Sequence, residues 1–91
     1  MEKVKQLKLF QAVETWEDIK NMGLLIKFSW SSRGKYGNDY AIRLNKNILQ
    51  YVSMEKLEKI MDNNFSGYYG GFCKINILTD EIFIKYSSYN D

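Results

Sequence analysis

The sequence predicts an α+β domain: a mostly antiparallel β-sheet of about five to six strands with two short helices on one face. Three observations carry this expectation. Apolar residues alternate with polar ones, the period-two signature of a half-buried strand, over residues 24–30, 40–44, 73–77 and 82–86. Two other segments repeat their apolar residues every three or four positions behind a Thr or Ser, which is how a capped amphipathic helix reads. The chain has 91 residues, 45% hydrophobic and 15% aromatic, enough for one core and too few for two, so residues 1–91 are read as one domain.

The first 23 residues admit two readings. Leu9, Ala12, Val13, Trp16 and Ile19 share one side of a helical wheel, which suits one amphipathic helix closed by Gly23. Val4, Leu7 and Phe10 lie off that stripe. The favoured reading is therefore a strand over residues 4–12 and then a short helix over 16–22, capped by Thr15 with Asp18 three positions on. Next, Leu24, Ile26, Phe28 and Trp30 alternate with Leu25, Lys27 and Ser29, and are expected to turn one face of a strand inward. Residues 31–39 contain two glycines and no aliphatic residue and read as a loop. Tyr40, Ile42 and Leu44 make the return strand, Asn45 to Asn47 a turn, and residues 48–52 a third strand.

Ser53 is read as the N-cap of a helix over 54–62, with Met54, Leu57, Ile60 and Met61 on one side and Asn63 and Asn64 ending it. Residues 66–71 form a second Gly and Tyr loop. A closing hairpin follows, with Cys73, Ile75 and Ile77 on one strand, Thr79 to Glu81 in the turn, and Ile82, Ile84 and Tyr86 on the other. Residues 87–91 read as a polar, flexible tail. Trp16, Phe28 and Trp30 are expected in the core. An exposed edge strand over 82–86 would invite homodimerisation by sheet extension, which Lys85 opposes.

Composition removes most chemistry. The chain has no histidine, the usual general base near neutral pH and the commonest metal ligand. Its one cysteine, Cys73, forms neither an internal disulfide nor a multi-thiolate metal site, and its apolar setting reads as a small buried hydrophobe. No phosphate-cradling glycine motif is present. Three carboxylate groups, Glu14 with Glu17 and Asp18, Glu55 with Glu58 and Asp62, and Asp80 with Glu81, read as solvated faces. We therefore expect no enzyme, no metal and no cofactor. No apolar run reaches the roughly 18 residues that span a bilayer, so the expectation is a cytoplasmic protein with no membrane partner. Thirteen cationic against eleven anionic residues give +2, a balance that selects no partner by itself.

Two segments remain as a candidate binding surface: residues 33–40, with Arg33, Lys35, Tyr36 and Tyr40, and residues 67–72, with Tyr68 and Tyr69. Tyrosine and arginine are the residues most enriched at protein-binding hot spots, and these six are the expected partner contacts. The same loops, basic and aromatic, also suit a single-stranded nucleic-acid-binding module. Eleven lysines against two arginines, eight asparagines and seven tyrosines suggest an AT-rich genome, such as that of a low-GC bacterium or its phages. A small chemistry-free domain in that setting fits a phage or mobile-element protein that inhibits a host protein, a protein–nucleic-acid complex or a defence system by occupying its surface, as anti-CRISPR proteins do. Composition alone supplies that expectation.

Overall fold

A computed structural model of the chain describes residues 12–91, so the strand expected over residues 4–12 falls, but for Ala12, outside the described residues. Helix α1 spans Trp16–Asn21. Its start is a complete capping box: Thr15 Oγ1 accepts from the Asp18 N–H at 3.1 Å, and Asp18 Oδ2 accepts from the Thr15 N–H at 3.1 Å. Asp18 also accepts from the Glu14 N–H, and that bond is the main reason its carboxyl sits below its usual pKa. Gly23, at φ +71, ends the helix in a Schellman arrangement with Leu24 N–H bonded to Ile19 O.

Strands β1 (Leu25–Ser32) and β2 (Asn38–Asn45) are joined by a 3₁₀ turn over Gly34–Tyr36. A second 3₁₀ segment, Lys46–Gln50, leads to α2 (Met54–Phe65), then β3 (Gly71–Ile77) and β4 (Glu81–Ser88). The described residues form one antiparallel sheet of four strands, in the order β1-β2-β4-β3, with the two helices against one face. This corrects the expected count of five to six strands. The expected third strand over 48–52 is replaced by the 3₁₀ segment, because the Asn45 side chain accepts from the Asn47 N–H at 2.8 Å and bends the chain at once. Ile48 and Val52, one helical turn apart, then both reach the core. Strand β4 is interior, bonded to β2 on one side and β3 on the other, so 82–86 is not an edge. Among the described residues the edges are β1 and β3.

The core is a layer of Ile19, Leu57, Ile60 and Met61 from the helices and Ile48 between them, closed against Ile42, Leu44, Ile82, Ile84 and Tyr86 of the sheet. Helix α2 runs three residues past its expected end. Asn64 does not stop it, because its side-chain amide donates back to Ile60 O at 2.7 Å, and Phe65 is needed at the tip. Its ring lies 5.1 Å from Trp16, 5.6 Å from Phe28 and 4.7 Å from Tyr40, an aromatic cluster that joins both helices to β1 and β2.

Strand β1 departs from the expected alternation. Leu25 opposes Leu44 and Lys27 opposes Arg43, so Ile26 is an extra, bulged residue and lies exposed. After the bulge Phe28 opposes Ile42 and Trp30 opposes Tyr40, on the helix side. The helix layer ends short of them: Phe28 is 38% and Trp30 60% exposed, while Trp16 is half-buried against the core. The expectation that Trp30 fills the core is therefore wrong. No described helix is long and apolar enough to cross a membrane.

Candidate functional site

Both loops singled out by sequence meet at one end of the sheet. The β1–β2 loop closes with Arg33 N–H bonded to Gly37 O at 2.7 Å. The α2–β3 loop is a tight turn in which Gly67 and Gly70 exchange backbone bonds of 2.9 and 3.0 Å, which leaves Tyr68 and Tyr69 at the tip. The C-terminal residues tie the two together. Strand β4 continues through Ser88, Tyr89 exchanges bonds with Tyr69 and Gly70, and Asn90 N–H donates to Tyr36 O at 3.0 Å. The Asn90 side chain accepts from Tyr68 N–H at 2.9 Å. Residues 87–90, expected as a flexible tail, are thus held by strand pairing and backbone bonds.

The six sequence-selected residues divide into two groups. Tyr36, Tyr68 and Tyr69 are 54%, 83% and 66% exposed, and the last two rings meet edge to face at 4.8 Å. Lys35 is exposed, with its ammonium 5.4 Å above the Tyr36 ring and 3.8 Å from Asp91. Arg33 and Tyr40 are engaged within the fold. The Arg33 guanidinium donates to Asn38 O, Asp39 Oδ1, Tyr36 O and Ser88 O, and lies over the Tyr89 ring, so its donors are committed to the loop and the C-terminal residues. Tyr40 packs on Phe28 and Phe65, and its hydroxyl accepts from Asn38 Nδ2 at 3.2 Å. Tyr89, held in this assembly and 41% exposed, joins the surface although its polar C-terminal neighbours read as a tail.

The face of the sheet that the described residues leave uncovered offers a second concave surface. A hollow of about 480 Å³ lies over Ala41, edged by Ser29, Ser31, Asp39, Lys85 and Ser87. Asp39 accepts from Arg33 at 2.5 Å and from Ser87 Oγ at 2.7 Å, which neutralises its rim.

The groups with the strongest pKa shifts, the Tyr86 hydroxyl and the Cys73 thiol, lie near the carboxylates of α2. Burial first, and the bond its hydroxyl donates to Asp62 at 2.6 Å second, push the Tyr86 phenol well above its usual pKa. Burial also pushes the Cys73 thiol up from 9.0 to about 12, with Glu58 and Asp62 adding to it. At pH 8 the thiolate fraction therefore falls about a thousandfold. Alkylation of native protein at pH 8 is expected to run at least about a hundredfold slower than in urea, as a timed iodoacetamide reaction read by mass will check. Equal rates would mean that the thiol is activated or freely exposed. Among the described residues no group of His, Cys, Asp and Glu is arranged to hold a metal ion.

Comparison with protein-family models, curated proteins and solved structures finds no match.

Proposed function

We propose that the chain is a binding protein that acts without chemistry of its own, by placing the tyrosine end of its sheet on a partner protein. One observation carries this reading: Tyr36, Tyr68 and Tyr69 stand exposed together on loops stitched by Tyr89 and Asn90. Large aromatic side chains held by a rigid backbone lose little entropy on association, which is why such residues dominate protein-binding surfaces. Lys35 adds a cation at the rim, suited to orienting a partner more than to holding it. The sequence composition extends the reading to an inhibitor, of phage or mobile-element type, of a host protein or defence complex, working by steric occlusion.

Replacing Tyr36, Tyr68 and Tyr69 together by alanine tests the reading. Each ring is more than half exposed, so the thermal midpoint should stay within about 3 °C of the parent. Capture of the partner from a bacterial lysate, followed by measurement with the purified partner, should show at least about a hundredfold loss of affinity. Normal binding by the triple variant overturns the proposal.

A further inference from the structure

The uncovered face of the sheet has a charge pattern that the tyrosine end does not use. In register across the strands, Ser29, Ala41, Lys85 and Lys74 form one row, and Lys27, Arg43, Phe83 and Asn76 the next. Lys74 and Lys85 stand directly opposite each other on adjacent strands, an arrangement that costs stability unless an anion lies between the two charges. Lys27, Lys74 and Lys85 have no carboxylate at salt-bridge distance among the described residues. The two carboxylates nearby are already engaged, Asp39 by Arg33 and Glu81 by Arg43 at 2.8 Å. On the helix side the signs are mixed: Glu55, Glu58 and Asp62 of α2 alternate with Lys56 and Lys59, and Glu17 and Asp18 of α1 are followed by Lys20. The chain's modest net charge thus hides a local excess: Lys27, Arg43, Lys74 and Lys85 outnumber Asp39 and Glu81 on this one face.

The same face carries two aromatic rings. Phe72, opposite Ser87 and two positions from Lys74, is 60% exposed. Phe83 lies beneath Arg43 at 4.5 Å and Lys85 at 5.8 Å. Beside Lys85 lies the hollow with its Ser29, Ser31 and Ser87 hydroxyls and, held by Arg33, the Asp39 carboxylate. Lysine, serine and alanine are depleted at protein–protein interfaces, whereas lysine and serine are the usual contacts to phosphate and sugar oxygens. Exposed rings beside such contacts are what unpaired bases stack on. A duplex fits poorly, since no described helix or ribbon projects from this face to enter a groove.

We propose that the uncovered face of the sheet binds single-stranded nucleic acid: Lys27, Lys74 and Lys85 hold phosphates, Phe72 stacks on a base, and the hollow over Ala41 takes a sugar–phosphate unit. This site shares no residue with the tyrosine end and stands independently of the protein-binding reading.

Fluorescence anisotropy with labelled mixed-sequence single strands of about 12 nucleotides, DNA and RNA, against a duplex of the same sequence, tests it on the full chain. Binding should weaken with salt at a logarithmic slope of about −2, the value for three phosphate contacts on a single strand. The double variant Lys74→Gln, Lys85→Gln should bind at least about tenfold more weakly, with a slope of about −1 or shallower. It should melt no lower than the parent, because a like-charge pair has been removed. Phe72→Ala should lose about tenfold in affinity at unchanged slope. The triple tyrosine variant should bind the oligonucleotide normally, which keeps the two surfaces distinguishable. The proposal is overturned if single strands do not bind at about 50 mM salt, if the duplex binds equally well, or if binding survives both the lysine and the phenylalanine changes. Binding of polyglutamate with no binding of oligonucleotide would also overturn it and assign the face to an acidic protein.

Discussion

Substituting Gly37 by alanine is expected to lower the free energy of unfolding by about 3 kcal/mol or more, and the thermal midpoint by more than about 10 °C. Two effects combine at this residue. Its backbone sits at φ +133, ψ −157, a region essentially closed to residues with a side chain. A β-carbon there would also collide with the Ser88 carbonyl oxygen and lie 2.8 Å from its carbonyl carbon. Both atoms belong to backbone on an interior strand, so nothing flexible can yield. That same carbonyl accepts from Arg33, and the Ser88 hydroxyl accepts from Asn38 N–H at 2.9 Å. The collision therefore pries apart the start of β2 and the end of β4, and with them the residues that tie the tyrosine loops together. Gly23→Ala provides the control. Gly23 also has positive φ, but nothing lies within 4 Å of its added carbon, so only the conformational cost of about 1 kcal/mol applies. Urea denaturation followed by circular dichroism should separate the two variants by at least about 2 kcal/mol. Equal losses would mean that the end of β4 does not pack on Gly37 in solution.

Much of this framework was legible in the sequence where a local rule governs it. Thr15 and Ser53 cap their helices as the spacing indicates, and β2, β3 and β4 follow their alternation, as β1 does beyond the bulge at Ile26, because cap and strand signals are written within a few residues. The failures involve contacts distant in sequence. Residues 48–52 have the composition of a strand, but the Asn45 side chain sets a 3₁₀ turn, and burial of Ile48 beside α2 outweighs local propensity. Trp30 has the right parity for the core, yet the helix layer does not extend over it, and the relative reach of two layers leaves no mark on a local pattern. Strand order decided the rest. With β4 placed between β2 and β3, Lys85 comes opposite Lys74, and two lysines unremarkable eleven residues apart become the centre of a basic face. The same order brings the C-terminal residues to the loops, so that Tyr89 and Asn90 complete a surface whose tyrosines sequence had already singled out.

Arg33 gives the second large effect, and its role reverses between sequence and structure. As a loop arginine beside glycines and tyrosines it reads as a phosphate or partner contact. In the structure its guanidinium reaches two carbonyls of its own loop, the Asp39 carboxylate and, across 55 positions of sequence, the Ser88 carbonyl at 2.5 Å. Four acceptors arranged around one planar group need a fork of fixed donors. An ammonium on a flexible stem reaches one or two of them and leaves the others unsatisfied in a partly buried site. Arg33→Lys, which preserves net charge, should therefore lower stability by about 2–3 kcal/mol and the thermal midpoint by about 10 °C. The β1–β2 loop and the C-terminal residues should lose amide protection together in hydrogen exchange, because both ends of the clamp are released. A variant that melts within about 2 °C of the parent but binds its partner weakly would restore Arg33 as a contact residue and remove it as the clamp. The expected outcome, loss of stability at constant charge with both loops loosened, would show that the tyrosine surface depends on the Arg33 clamp.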